Sequence, residues 1–277
     1  MNLLRSLFAL PLFLLPAIFG LPNSWGGLAC GLLVWMCIND ANFILHQHVH
    51  RPLTRVRPLN KVIDLLLSLT TGMSAYSWRQ HHLLRHHRGN DSWRHARPWE
   101  LRRPSLLGAL WYSLRYGVLL LVLPLWEAFL RGVLCGHKHP LNFRMAFLEQ
   151  SVVLLFAGVL IAAEPAFYGP CFFLVFFFTA LTDYQNHVGC DSSKLGVSNN
   201  IVRGAYNRVR DNFGYHTAHH HFPGAHWTEL PALHARIAGV LPTARVGRGW
   251  WIGQVSAPLV ILALSGVFGR RSGRSVG

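Results

Sequence analysis

Charge is scarce in this 277-residue chain and acid is scarcer: charged residues make up 13%, with Asp plus Glu numbering 11 against 26 Lys plus Arg. A soluble domain carries about a quarter charged residues. With 51% hydrophobic residues and a mean hydropathy of +0.27, the formal charge of +15 (histidine neutral) is not the footprint of a disordered or nucleic-acid-binding chain. It fits basic residues gathered on one face of a membrane protein. The five cysteines, Cys30, Cys37, Cys135, Cys171 and Cys190, form no CxxC pair and three lie in apolar runs, which argues against a disulfide framework or a zinc ribbon. None of the five glutamates is followed by a histidine three positions later. That excludes the soluble four-helix di-iron architecture, which needs Glu-x-x-His repeats, and an HExxH zinc protease. No His-Pro-Gly-Gly haem motif, Cys-rich iron–sulfur spacing or Rossmann fingerprint is present. Histidine, in contrast, is abundant, with 17 copies, most of them clustered. A metal site in this chain is built from imidazoles.

Seven apolar stretches run over roughly 7–22, 26–45, 62–77, 106–126, 145–163, 166–183 and 250–268. A spanning helix needs about 20 mostly apolar residues, so 62–77 is short. Arg5 and the apolar run after it have the outline of a signal peptide, but a second run follows a short turn, and a helical hairpin is the better reading. The histidine clusters at 46–50, 81–87, 187 and 216–221 must share one side to form one site. An even number of crossings then separates His87 from His187, although three apolar runs occupy that interval. Arg131, Lys138 and Arg144 keep the loop 127–144 cytoplasmic, and the cation-free turn at Glu164 and Pro165 is external. The sequence therefore predicts two transmembrane helical hairpins, with 106–126 interfacial or re-entrant. The run at 250–268 precedes Arg270, Arg271 and Arg274 and is read as in-plane or re-entrant. The expectation is one all-α integral membrane domain over residues 1–277, in the inner or plasma membrane, with interfacial helices and a cytoplasmic histidine-rich di-metal site.

In the first cluster, His46 and His50 stand at i and i+4 on one helical face. In the second, His82 and His86 share a face and His87 is displaced by about 100°. In the third, His216 precedes His219 and His220 by one turn, and His187 stands alone four residues after Asp183. Neutral imidazole suits iron, zinc, copper and nickel alike. Pairs one turn apart converge on one ion while a neighbour turned away reaches a second, so nine imidazoles imply two metals. Isolated histidines such as His95, His137, His139, His226 and His234 carry no such implication.

The three boxes, in this order and on this hydropathy profile, resemble the membrane fatty acid desaturase superfamily over about residues 26–235. The string from Asn212 through His220, followed by Pro223, Trp227 and Pro231, is similar to its third-box region. The element Asp183-Tyr184-Gln185-Asn186-His187-Val188-Gly189 is similar to the Asn-x-x-Glu-His-Tyr-Gly element of alkane-hydroxylase-like members, with Asp183 and Asn186 departing from it. The resemblance implies metal ligands at His46, His50, His82, His86, His87, His187, His216, His219 and His220. It leaves Asp183 either holding a metal-bound water or orienting a ligand imidazole. His48, His81 and His221 fall outside the pattern and point away from the paired faces.

The same resemblance implies two iron ions, molecular oxygen as co-substrate, and insertion of a double bond into a fatty acyl chain. Hydroxylation or oxidative decarboxylation of a fatty acid or alkane chain is the alternative within the enzyme class, and a non-catalytic metal-binding membrane protein the alternative outside it. The latter predicts ionisable residues within the spans, whereas these hairpins are nearly uncharged. Electrons must come from an external donor, a ferredoxin or cytochrome-b-type protein. Arg51, Arg55, Arg57, Arg85, Arg88, Arg94, Arg97, Arg102 and Arg103 form a field suited to such an acidic carrier, to an acyl carrier protein, or to anionic membrane lipids.

Overall fold

The computed structural model describes residues 2–20, 25–87, 104–130, 143–191, 195–202, 204–243 and 246–247. The run 250–268 lies outside them, as do Arg88, Arg94, Arg97, Arg102, Arg103, Arg131 and Lys138. The chain divides into two compact units, one from Met1–Trp78 and Leu123–Phe176, the other from Arg79–Val122 and Phe177–Gly253. The described residues are almost entirely helical, as expected of an all-α membrane protein, since a helix satisfies its own backbone where water is absent.

Among the described residues, three helices are long and apolar enough to cross a membrane: α5 (Leu106–Ala128), α6 (Phe143–Ala163) and α7 (Pro165–His187). Along α6 the outward positions are Met145, Leu148, Val152, Leu155 and Val159, while Ala146, Gln150, Val153, Ala157 and Leu160 are buried. Large apolar groups outside and small or polar ones inside is the pattern lipid favours over water. The run 106–126, expected to be interfacial or re-entrant, lies in α5. A re-entrant segment would break, but α5 is one continuous helix of 23 residues, of spanning length. Its polar side chains are Tyr112, Ser113, Arg115, Tyr116 and, in its last turn, Glu127.

The first unit opens with α1 (Asn2–Phe19) and α2 (Trp25–His50), joined by an Arg5–Asp40 ion pair. The Tyr168 hydroxyl of α7 donates to the Phe13 carbonyl at 2.8 Å. The helix α3 (Arg57–Thr71) has 15 residues, short of the roughly 20 a span requires. Its start is braced by His48, which accepts from the Leu53 amide at 3.1 Å through Nδ1 and lies 3.3 Å from Asp64. His48 is therefore a buried staple of the α2–α3 turn.

The helix α3 ends at Gly72, whose φ of 77° is left-handed and whose missing Cβ would sit 2.9 Å from the Phe172 ring. The helix α4 (Ala75–Arg79) starts three residues later. The polar groups this break exposes are taken up by α6: Gln150 accepts from the Ser74 amide at 2.8 Å and donates to the Gly72 carbonyl at 3.1 Å, and Glu149 accepts from the Ala75 amide at 3.1 Å.

In the second unit α4 continues into a wider i→i+5 turn over Gln80–His86. After α7, the strands β1 (Asn200–Ile201) and β2 (Val246–Gly247) pair in parallel, and the short helices α8 (Gly204–Val209), α9 (His216–His221) and α10 (Leu230–Ile237) follow β1 in sequence.

Candidate metal centre

The second histidine box sits on the π turn, and the turn decides how the box divides. The His87 amide donates to the His82 carbonyl, the i→i+5 bond that defines the turn, so these two residues stack one above the other. Their rings come within 4.6 Å and their Nε2 atoms within 3.0 Å. His87 Nε2 is also 3.1 Å from His219 Nε2. His82 and His86 do share a face, with rings 5.0 Å apart and nearly parallel, yet His86 turns to a different set. His86, His187, His216 and His220 each offer a ring nitrogen, all within 4.8 Å of one another. The expectation that His82 and His86 serve one ion while His87 serves another is thus redrawn by the wider turn. The third box divides in the same way: His216 and His220 meet at 3.2 Å between Nε2 atoms, and His219 joins His82 and His87.

The segment before α9 is shaped to deliver these imidazoles. Asp211 and Asn212 take φ of 48° and 61°, a left-handed pair that reverses the chain after α8. At Gly214 a Cβ would lie 2.2 Å from the Ile201 carbonyl oxygen, so only glycine fits. Its amide donates to Asn207 Oδ1 at 3.0 Å. The Thr217 amide donates to Asn200 Oδ1 at 3.0 Å, and the Asn200 amide group donates back to Thr217 Oγ1 at 2.8 Å, fixing α9 to β1. Tyr215 stacks on His234 at 5.0 Å, giving that otherwise unremarkable histidine a packing role.

The isolated histidine carries the test of what the site holds. His187 is fully buried, and its Nδ1 lies 2.9 Å from the Val197 carbonyl, which can only accept. Nδ1 therefore carries a proton, and in the neutral ring Nε2 presents a lone pair. That Nε2 has no hydrogen-bond partner, and the nearest carboxylate oxygen, Asp183 Oδ1, is another acceptor 3.8 Å away. A buried lone pair turned toward a half-buried carboxylate is costly unless a cation or a donor lies between them. The His82–His87–His219 group makes the same demand. A ring nitrogen holds one proton or one lone pair, so His87 Nε2 cannot serve both neighbours well. Ligands about 2.1 Å from an ion and at right angles to each other lie about 3 Å apart, close to the spacing seen. The residues fit a bound metal.

Protonation points the same way. Burial pushes the His86 imidazole down to about 4, with Asp183 opposing and His187 adding to the shift. Loss of solvent, then the neighbouring His216, His87, His86 and His187, pushes His220 well below the ordinary histidine range. Both shifts favour the neutral imidazole, the form that ligates a metal.

In the first unit His46 and His50 lie side by side on the last turn of α2, rings 5.2 Å apart, with Trp78 against His46 at 6.2 Å. Of the histidines outside the pattern, His81 is buried with its Nε2 3.1 Å from the Tyr116 hydroxyl, and His221 rests on Phe222.

A sequence model of the fatty acid desaturase family matches residues 19–251 of this chain. The chain belongs to the fatty acid desaturase family. No curated protein and no solved structure gave a match. The match covers every described histidine of the two groups, and the desaturase family accounts for an oxidoreductase with an acyl-lipid type of substrate. Residues that spacing alone does not reveal are Tyr112, whose hydroxyl bonds Asp183, together with Val197, Asn200, Asn207 and Thr217. Of these, only Thr217 lies within the Asn212-to-His220 string that is similar to the family's third-box region.

Proposed function

We propose that this desaturase-family protein is an oxygen-dependent acyl desaturase whose centre is two iron ions held by imidazole. His86, His187, His216 and His220 would hold one ion and His82, His87 and His219 the other, with His46 and His50 of the first box as the further ligands that the family resemblance implies. The observation that carries this reading is the His187 lone pair, buried without a hydrogen-bond partner and facing a carboxylate. When bound, such a pair of ions supplies the redox chemistry that removes hydrogen from an unactivated methylene with oxygen as oxidant.

The chain's own residues then have three tasks. Val197 fixes the His187 tautomer through its carbonyl, and the Asn200–Thr217 exchange fixes the entry of α9. An acyl chain would reach the centre from the bilayer along apolar helix surface, which keeps water from it. The exposed Arg51, Arg55 and Arg57 after α2 offer an acidic electron donor a landing surface on the cytoplasmic side.

Gas chromatography of lipids from an expressing strain tests the reaction. An internal alkene of unchanged chain length is expected. An alcohol, or a terminal alkene one carbon shorter, would assign hydroxylation or oxidative decarboxylation to the same centre instead.

A further inference from the structure

The helix α5 carries two buried tyrosines one turn apart, Tyr112 and Tyr116, with rings 5.0 Å apart and each almost wholly excluded from solvent. On an apolar helix of spanning length a hydroxyl is expensive to bury unless it has a partner. Both hydroxyls have one. Tyr116 meets His81 Nε2 at 3.1 Å, and Tyr112 donates to Asp183 Oδ2. The other oxygen of that carboxylate, Oδ1, lies 3.6 Å from His86 Nδ1 and 3.8 Å from His187 Nε2. Asp183 is thus gripped from behind by α5 and presents negative charge to the four-histidine group. The Tyr112 ring is itself wedged against Tyr184 at 5.6 Å, and the Tyr184 hydroxyl is tied to the Ser105 backbone just before α5 begins.

We propose that Tyr112 is a positioning residue. By holding Oδ2 it aims Asp183 Oδ1 at His86 and His187, and so tightens cation binding at the His86–His187–His216–His220 group without touching the other group. This rests on the two-ion reading given above. A carboxylate a few ångströms from ligand nitrogens favours a cation between them, and losing such an outer hydrogen bond weakens metal affinity by about 10–100-fold. Tyr116, one turn away, faces His81, which belongs to neither group.

The test is metal release from purified, iron-loaded full-length protein titrated with a chelator, for wild type, Tyr112→Phe, Tyr116→Phe, Asp183→Asn and the Tyr112→Phe/Asp183→Asn pair. Tyr112→Phe should release one ion at about 10–100-fold lower chelator activity and the other as wild type does. Tyr116→Phe should release both as wild type does. Because Tyr112 acts through Asp183, the double variant should be no weaker than Asp183→Asn alone. The melting profile of the metal-free protein, recorded alongside, should be the same for wild type and Tyr112→Phe. Release of both ions from Tyr112→Phe at the wild-type midpoint, equal weakening of both ions, or additive losses in the double variant would overturn the role of Tyr112 while leaving the two-ion centre in place. A wild-type protein binding fewer than two ions would overturn the centre and this inference together.

Discussion

His187 is the residue on which most depends. Spacing alone marks it weakly, since it has no histidine neighbour within one turn; its position just past an apolar run and the resemblance of the segment around it do the work. The structure supplies the physical reason, a tautomer fixed by Val197 and a lone pair turned inward. His187→Ala should lower bound iron and cut product formation by orders of magnitude per folded protein, beyond the roughly 10–100-fold of outer-contact changes. His221→Ala, which loses a contact with Phe222 outside both groups, should keep measurable turnover. Comparable activity in the two variants would show that the fourth ligand is wrongly assigned. Asp183 is legible as a neighbour of His187 but not in its role, because the residue that grips it, Tyr112, is 71 positions away and carries no motif.

Among the elements, the boxes are readable as a set and unreadable in their division. The i, i+4 spacing of His82 and His86 does put both on one face, and their rings are stacked. Nothing in the run from Gln80 to His87 announces a π turn, and that turn brings His87 over His82 while His86 joins His187. The continuity of α5 is obscured for a different reason. Its expected place at the interface came from counting crossings between charged loops, which constrains parity but not the helix itself. The turn into α9 is the element most sensitive to substitution. At Gly214 a methyl group would meet backbone, which cannot swing aside as a side chain can. Gly214→Ala should cost about 3 kcal/mol and lower iron content, because the strain falls on the segment that places His216, His219 and His220. Thermal unfolding and metal analysis of the same preparation check this, and a wild-type melting temperature with full iron would contradict it.

At the scale of the whole molecule, hydropathy and family motif together identify an all-α membrane desaturase-family protein, and the match over residues 19–251 agrees with that. Sidedness follows from charge. The parity reading puts Arg208 and Arg88 on the cytoplasmic face and Glu164 outside. Single cysteines at these positions, in a background with native cysteines replaced, should be labelled by an impermeant reagent from outside only at 164. Labelling of positions 88 and 208 from opposite faces would break the shared-site topology.

The central claim, two iron ions held by imidazole nitrogen, is tested most directly by X-ray absorption on purified, active protein of known metal content. The account predicts about two irons per chain with nitrogen-dominated ligation, because nine candidate ligand histidines are present and, among the described residues, Asp183 is the carboxylate that lies against the His86–His187 group. A single zinc per chain, or sulfur in the ligand shell, would contradict it.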